Sequence, residues 1–295
     1  GGVGGPGQGG FGVVAKHLIV GAGEVGKALV DVLAPRYYVY TKDIGPADVP
    51  EGISTMHIAL NYYALGHEAW MDIVIGYIEA YKPRLVDVCS TVTPGTTGRL
   101  GRNACHSTTR GLHPNLEEGL SKIVKHIGGP RAEDLAKEYA ACGVRCITHG
   151  KAATTELAHI LNNSAYGVSL MFADEAERLC RQYGVDYYEA VMKYTETHNR
   201  GFQDLDHPRL VRSILTPPYG RIGGHCVVQG AGLIPGSRRG LLMSALARYN
   251  DAKEESPASS DQHGLPGVPG EDSGKEPLEG PEALGQVDGG GPGEA

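Results

Sequence analysis

No run of 18 apolar residues occurs in the chain, so no segment predicts a helix that crosses a bilayer. The first residues also lack the charged and apolar regions of a secretory leader, and no membrane partner is expected. The six cysteines form no disulfide framework; Cys142 and Cys146 lack the second pair that a zinc site requires. No metal is therefore expected, and a reducing cytoplasm is the expected compartment. No basic stripe stands out, which argues against nucleic acid as a partner, and there is no internal repeat. The net charge of −7 comes partly from the C-terminal end, where acids outnumber lysines. What remains is a chain expected to be soluble.

Both ends lack the means to fold. Residues 1–12 are nearly all glycine, and residues 250–295 are mostly Gly, Pro, Ser, Glu and Asp with almost no aliphatic periodicity. Neither stretch buries enough apolar surface to offset its ordering entropy, so both are expected to be disordered. The 295 residues thus reduce to two foldable parts, a dinucleotide-binding domain at 13–150 and a helical substrate and dimerisation domain at 151–249.

The most informative stretch lies near the start. An apolar run (Val13, Val14, then Leu18 to Val20) meets Gly21-Ala22-Gly23-Glu24-Val25-Gly26 and passes straight into an amphipathic helical pattern. Strand, tight turn and helix are the context in which a Gly-x-Gly-x-x-Gly motif binds a dinucleotide. Gly21 makes the turn, Gly23 lets the backbone approach a pyrophosphate, and Gly26 lets helix and strand pack closely. Free N–H groups of Glu24, Val25 and Gly26, at the positive end of the helix, would face the phosphates. About 20 residues on, the strand read at Tyr37 to Thr41 ends near Asp43, an acid suited to the ribose hydroxyls of NAD; Lys42 beside it weakens the discrimination against NADP.

Alternating elements follow: a strand at Thr55 to Leu60, a helix at Glu68 to Tyr81 ended by Pro83, a strand at Leu85 to Cys89, a helix at Arg131 to Ala141, and a strand at Val144 to Thr148. Strands separated by helices predict a Rossmann-type α/β fold with a doubly wound parallel sheet. Then comes one long helical pattern without proline, Thr154 to Gln182, closed by Gly184, with Asp186 capping a further helix through Met192. Its apolar residues occupy more than one face (Leu157 and Leu161, but also Val168 and Met171), so a homodimer packed through this helix is expected.

Four stretches in order resemble the UDP-glucose/GDP-mannose dehydrogenase family, related to 6-phosphogluconate and β-hydroxyacid dehydrogenases. They are the glycine motif, Cys89-Ser-Thr-Val-Thr-Pro-Gly-Thr-Thr97, Thr155-Glu156-Leu-Ala-His159-Ile-Leu-Asn-Asn163, and Gly220-Arg221-Ile-Gly223-Gly224-His225-Cys226. The resemblance implies an NAD-dependent oxidoreductase acting on a CH–OH group, with Ser90 and Thr91 beside the nicotinamide ribose, and Cys226, Asn163 and His159 as catalytic residues. It implies a small-molecule substrate, either a sugar nucleotide or a hydroxy acid. Two other readings stand beside it: an NAD-binding protein that has lost catalysis, and a β-hydroxyacid dehydrogenase, which needs no cysteine.

The residues allow plainer readings too. Pro94-Gly95 is a good turn pair and Thr96 a plausible helix cap. Glu156, His159 and Asn163 share one helix face. Histidine stands where the family has lysine, and either takes a proton near working pH or sits satisfied against the sheet. Cys226 is either a nucleophile, its thiolate favoured by His225 or Arg221, or a small buried apolar group. Gly230 stands where the family has an aspartate, and Asn115 where it has a glutamate. The chain enters low complexity soon after Cys226, where family members continue into a third domain, so a shortened member is expected.

Overall fold

The computed structural model describes residues 14–43, 49–107, 109–112, 115–218, 220–223 and 227–253. The glycine-rich arm at 1–12, the greater part of the C-terminal stretch, and Gly224, His225 and Cys226 lie outside the described residues.

Strand β1 (Lys16–Val20) leads into α1 (Glu24–Leu33), and β2 (Tyr38–Lys42) returns parallel to β1, pairing Val20 with Lys42. The chain then crosses to the other side of β1, where β3 (Thr55–Ile58) pairs Val20 with Ile58. Beyond it come α2 (Tyr62–Leu65), α3 (His67–Tyr81) and β4 (Leu85–Val88), then β5 (Ala104–Ser107), α4 (Leu116–Lys122), β6 (Lys125–Gly128), α5 (Ala132–Ala141) and β7 (Cys146–His149). The sheet order is β2-β1-β3-β4-β5-β6-β7. The reversal beside β1 is the switch point at which open α/β sheets hold their ligands, over the carboxyl ends of the strands.

The sheet is not wholly parallel. β6 runs antiparallel to β5, pairing His106 with Gly128, before β7 resumes parallel to β6. Neither β5 nor β6 stands out as an apolar run, because each buries polar residues, His106 and Ser107 in one and Lys125 in the other. Both faces are covered. On one, Leu18, Met56, Val86 and Val88 pack with Trp70 and Val74 of α3. On the other, Ile19, Leu85, Cys105 and Ile127 pack with Leu29 and Leu33 of α1, Leu120 of α4 and Leu135 and Tyr139 of α5.

Helix α6 (Ala152–Tyr183) is 32 residues long, ends in the left-handed Gly184, and lies against β5 and β6 at its start. Further along it forms a second core with α8 (Val227–Gly232) and α9 (Leu241–Tyr249), built on Leu170, Ile222, Ala231 and Leu246. Between them, Asp186 accepts from the Glu189 N–H as a cap, but the helix runs past Met192, through a wide turn at Tyr188–Lys193 into α7 (Tyr194–Asp204).

Candidate active site

The glycine turn is built as the motif demands. Gly21 has φ of +109° and donates its N–H to the Lys42 carbonyl at 2.8 Å; a Cβ there would come within 2.6 Å of the Ala59 oxygen. A Cβ on Gly26 would sit 1.9 Å from the Gly21 oxygen, so strand and helix approach only because that position is bare. Gly23 differs. It is the N-cap of α1, supplies no side-chain cap, and a Cβ placed on it meets nothing within 4 Å. Open space therefore lies over the first turn, where the N–H groups of Val25 and Gly26 have no intrahelical acceptor. Glu24 opens the same turn. Asp43 follows the last residue of β2, and its carbonyl accepts from the Tyr77 hydroxyl at 3.4 Å. Lys42 is buried, its ammonium 5.6 Å from the centre of the Tyr77 ring. These residues fit a dinucleotide: bare backbone toward the phosphates, an acid at the end of β2.

The loop after β4 closes the other side of the switch point. Ser90 is buried and its hydroxyl donates to the Leu60 carbonyl at 2.6 Å, so that proton is committed to the backbone. Thr91 is half-buried beside it. Thr96 is not the expected side-chain cap: its backbone is already helical (φ −62°, ψ −50°), and its hydroxyl lies 3.5 Å from that of Tyr62. Glu156 of α6 caps this turn instead. Its carboxylate accepts from the Gly95 N–H and, at 2.8 Å, from the Thr97 N–H.

Helix α6 brings His159 and Asn163 together, with Asn163 Nδ2 donating to His159 Nε2 at 3.3 Å. Burial and the charges of Arg110 and Lys125 push the His159 pKa down to about 4. The imidazole is neutral at pH 7 and Nε2 is its acceptor. Arg110 and His106 carry no signal in the sequence, because the fold alone brings them to α6. His106 is buried, its Nδ1 2.9 Å from the Thr155 hydroxyl and its Nε2 3.3 Å from the Ser90 carbonyl.

Cys226 and His225 lie outside the described residues. Arg221 donates to the Lys253 carbonyl at 3.2 Å. Gly230 is buried within α8, in the part of the fold where α8 packs on α6. Asn115 stands at the N-terminus of α4 and makes no side-chain cap.

A second cluster lies beneath α5. His57 bridges Asp87 Oδ2 (2.8 Å from Nδ1) and His17 Nδ1 (3.0 Å from Nε2), while the Tyr139 hydroxyl donates to Asp87 at 2.6 Å and the Cys89 thiol at 3.3 Å. Burial alone would raise the Asp87 pKa, but the hydrogen bond and charge of His57, helped by Lys125, hold it well below the usual carboxylate range. Burial and the charge of His57 lower His17 to about 2, and burial pushes the Cys89 thiol up to about 12. The ligand atoms of His57, Asp87 and Cys89 lie within 4.8 Å of one another. A cation among them would displace the protons of these hydrogen bonds beside the buried Lys125 ammonium, so the cluster reads as a polar rivet between sheet and α5.

No protein-family model matches the chain. It is similar to UDP-N-acetyl-D-mannosamine dehydrogenase of Pyrococcus horikoshii, 30% identical over 160 residues, which are 48% of this chain and 35% of that protein. The enzyme of the same name from Methanocaldococcus jannaschii is 26% identical over 192 residues, 59% of this chain and 42% of that protein. The chain thus spans less than half the length of the curated relatives it matches. A solved structure of the Pyrococcus horikoshii UDP-D-ManNAc dehydrogenase superposes with a TM-score of 0.65 at 22% identity, covering 80% of this chain and 68% of that one. The fold is therefore that of the Rossmann-type dehydrogenases.

Proposed function

We propose that this chain, a relative of the UDP-sugar dehydrogenases over the matched residues, is an NAD-dependent oxidoreductase acting on a CH–OH group. The observation that carries the reading is the contrast among the three glycines. Gly21 and Gly26 are bare because neighbouring backbone fills the space, whereas Gly23 is bare over open space at the start of α1. A ligand that approaches the backbone gives Gly23, at this place in the motif, a reason that packing does not.

The residues that would hold NAD are Gly21, Gly23, Glu24, Val25 and Gly26 through the backbone, Asp43 at the adenosine ribose, and Ser90 and Thr91 on the nicotinamide side. Bound by these residues, NAD would supply a hydride acceptor for the substrate carbon. The acceptor nitrogen of neutral His159, Nε2, is held by the Asn163 amide, so His159 would take the hydroxyl proton there only by releasing that amide, which is then free to donate to the substrate oxygen. The substrate is a small alcohol, with a sugar nucleotide favoured by the printed names of the relatives. The absence of an aspartate at Gly230 favours a single two-electron step.

Two further assignments rest on surface and thiol chemistry. Leu157, Leu161, Phe172, Leu179 and Tyr183 are all exposed on α6, and at about 100° per residue they fall within roughly 80° of one another. Such a stripe fits a homodimer packed along α6. The free thiols of Cys89, Cys105, Cys142, Cys146 and Cys180 fit a reducing compartment, in keeping with a cytoplasmic enzyme.

Titration with NADH and NADPH tests the cofactor, and a panel of sugar nucleotides and hydroxy acids tests the reaction. Tighter binding of NADPH, or no loss of NADH affinity in Asp43→Ala, would overturn the cofactor assignment. Binding without turnover of any alcohol would leave a cofactor-binding protein.

A further inference from the structure

Two consecutive residues of α6 hold the loop after β4 from opposite ends. Glu156, 1% exposed, has two backbone N–H groups as its hydrogen-bond partners: Gly95 and Thr97. A buried carboxylate is costly unless paired and hydrogen-bonded. This one meets the orphan donors of the Thr97–Arg99 turn, which no side chain of its own loop caps. Thr155, fully buried, reaches the other end through His106. Burial, then the charge of His159, lowers the His106 pKa to about 3, so that ring is neutral and carries one proton. With that proton on Nε2 for the Ser90 carbonyl, Nδ1 is an acceptor 2.9 Å from the Thr155 hydroxyl, whose one proton is shared among it and the Ala152 and His106 carbonyls at 3.0 and 3.2 Å.

We propose that Thr155 and Glu156 form a bracket that sets the Ser90–Thr97 loop against α6, making Glu156 a positioning residue for the nicotinamide half of the cofactor. The inference rests on the NAD reading above. It follows from topology: the adenosine half belongs to β1, β2 and Asp43, while the loop after β4 lies across the switch point. The same helix carries His159 and Asn163 one and two turns further on, so the bracket also fixes the distance between the proton acceptor and the loop.

The discriminating experiment compares NADH with ADP-ribose, which lacks the nicotinamide, on the full chain. Glu156→Gln keeps the shape but offers one acceptor oxygen and turns an amide N–H₂ toward a backbone donor. The expected result is NADH bound at least tenfold more weakly, with ADP-ribose within twofold of the unaltered chain. Thr155→Val should show the same selectivity, and it serves where Glu156→Gln fails to fold. Equal losses for both ligands would mark a plain folding defect and overturn the proposal, as would unchanged NADH affinity. Amide exchange gives an answer independent of the cofactor. In Glu156→Gln the Gly95 and Thr97 amides should exchange at least tenfold faster while β1 and β3 keep their protection; unchanged exchange also overturns the bracket. If the unaltered chain binds neither ligand, the NAD reading fails, and the claim that the loop serves nicotinamide falls with it.

Discussion

Alanine at Gly23 and alanine at Gly26 are the same chemical change three residues apart, and the structure assigns them opposite consequences. At Gly26 the new methyl lies 1.9 Å from the Gly21 oxygen, a backbone atom with nowhere to go. Relief requires α1 to move off β1 by more than 1 Å, through a face where Ala28, Leu29 and Leu33 are buried. Overpacking of this kind costs about 3 kcal/mol. At roughly 2–4 °C per kcal/mol for a fold of this size, the melting temperature should fall by about 6–12 °C. At Gly23 the methyl enters open space from a backbone, φ −72° and ψ −168°, that alanine adopts without strain. Loss of a favourable N-cap costs roughly 0.5–1 kcal/mol, and reduced freedom of the unfolded chain returns about 0.4–1 kcal/mol. The melt should therefore stay within about 2 °C of the unaltered chain. The same methyl stands where the pyrophosphate must come, and NADH affinity should drop tenfold or more, at least about 1.4 kcal/mol. Thermal melts and fluorescence titration of NADH, run on both variants, make the test. A Gly23→Ala protein that binds NADH normally, or that melts as low as Gly26→Ala, would refute the reasoning.

Three other outcomes are expected. His17, His106 and His159 have pKa values lowered to about 2, 3 and 4. Between about pH 4 and 6.5 the unfolded chain thus binds up to three more protons than the native one, so stability rises with pH and should be lost on acidification at up to about 4 kcal/mol per unit. Urea midpoints at pH 7.5, 6 and 5 check this, and a flat profile would show that these rings are solvated. NADH formed per alcohol consumed should be one; two per turnover, abolished by Cys226→Ser, would show that four-electron chemistry survives without an aspartate at Gly230. Light scattering at micromolar concentration should give a dimer, reduced to a monomer by Phe172→Asp with the melt unchanged; a monomeric unaltered protein removes the α6 interface.

The sequence was legible wherever one local rule decided the structure. The glycine motif, the helix ended by Pro83 and the long helix closed by Gly184 all came out within a few residues of their observed bounds, because punctuation and periodicity are local signals. β5 and β6 were not legible. Their buried faces hold His106, Ser107 and Lys125, whose partners Thr155, Cys89 and Tyr139 come from other elements, and such satisfaction leaves no trace in a hydropathy pattern. The site divided the same way. His159 and Asn163 meet because they are four apart on one helix. Glu156 was visible as a member of that face, but its partners lie about 60 residues upstream in a loop that seemed to cap itself.

A helix of 32 residues rising about 1.5 Å each is a rod of roughly 48 Å. Its first two turns are pinned to the sheet and to the loop after β4, while its far end presents Leu179 and Tyr183 to solvent. Packed along its middle on α8 and α9, such a rod moves as one body, and its near end carries His159 and Asn163. A tilt of only about 5° at the pinned end sweeps the far end through roughly 4 Å. Run backwards, the same ratio means that gripping the far end to within an ångström holds His159 and Asn163 to roughly a fifth and a third of that. Whatever clasps the exposed end of α6 therefore stiffens, at a distance, the geometry of the His159–Asn163 pair.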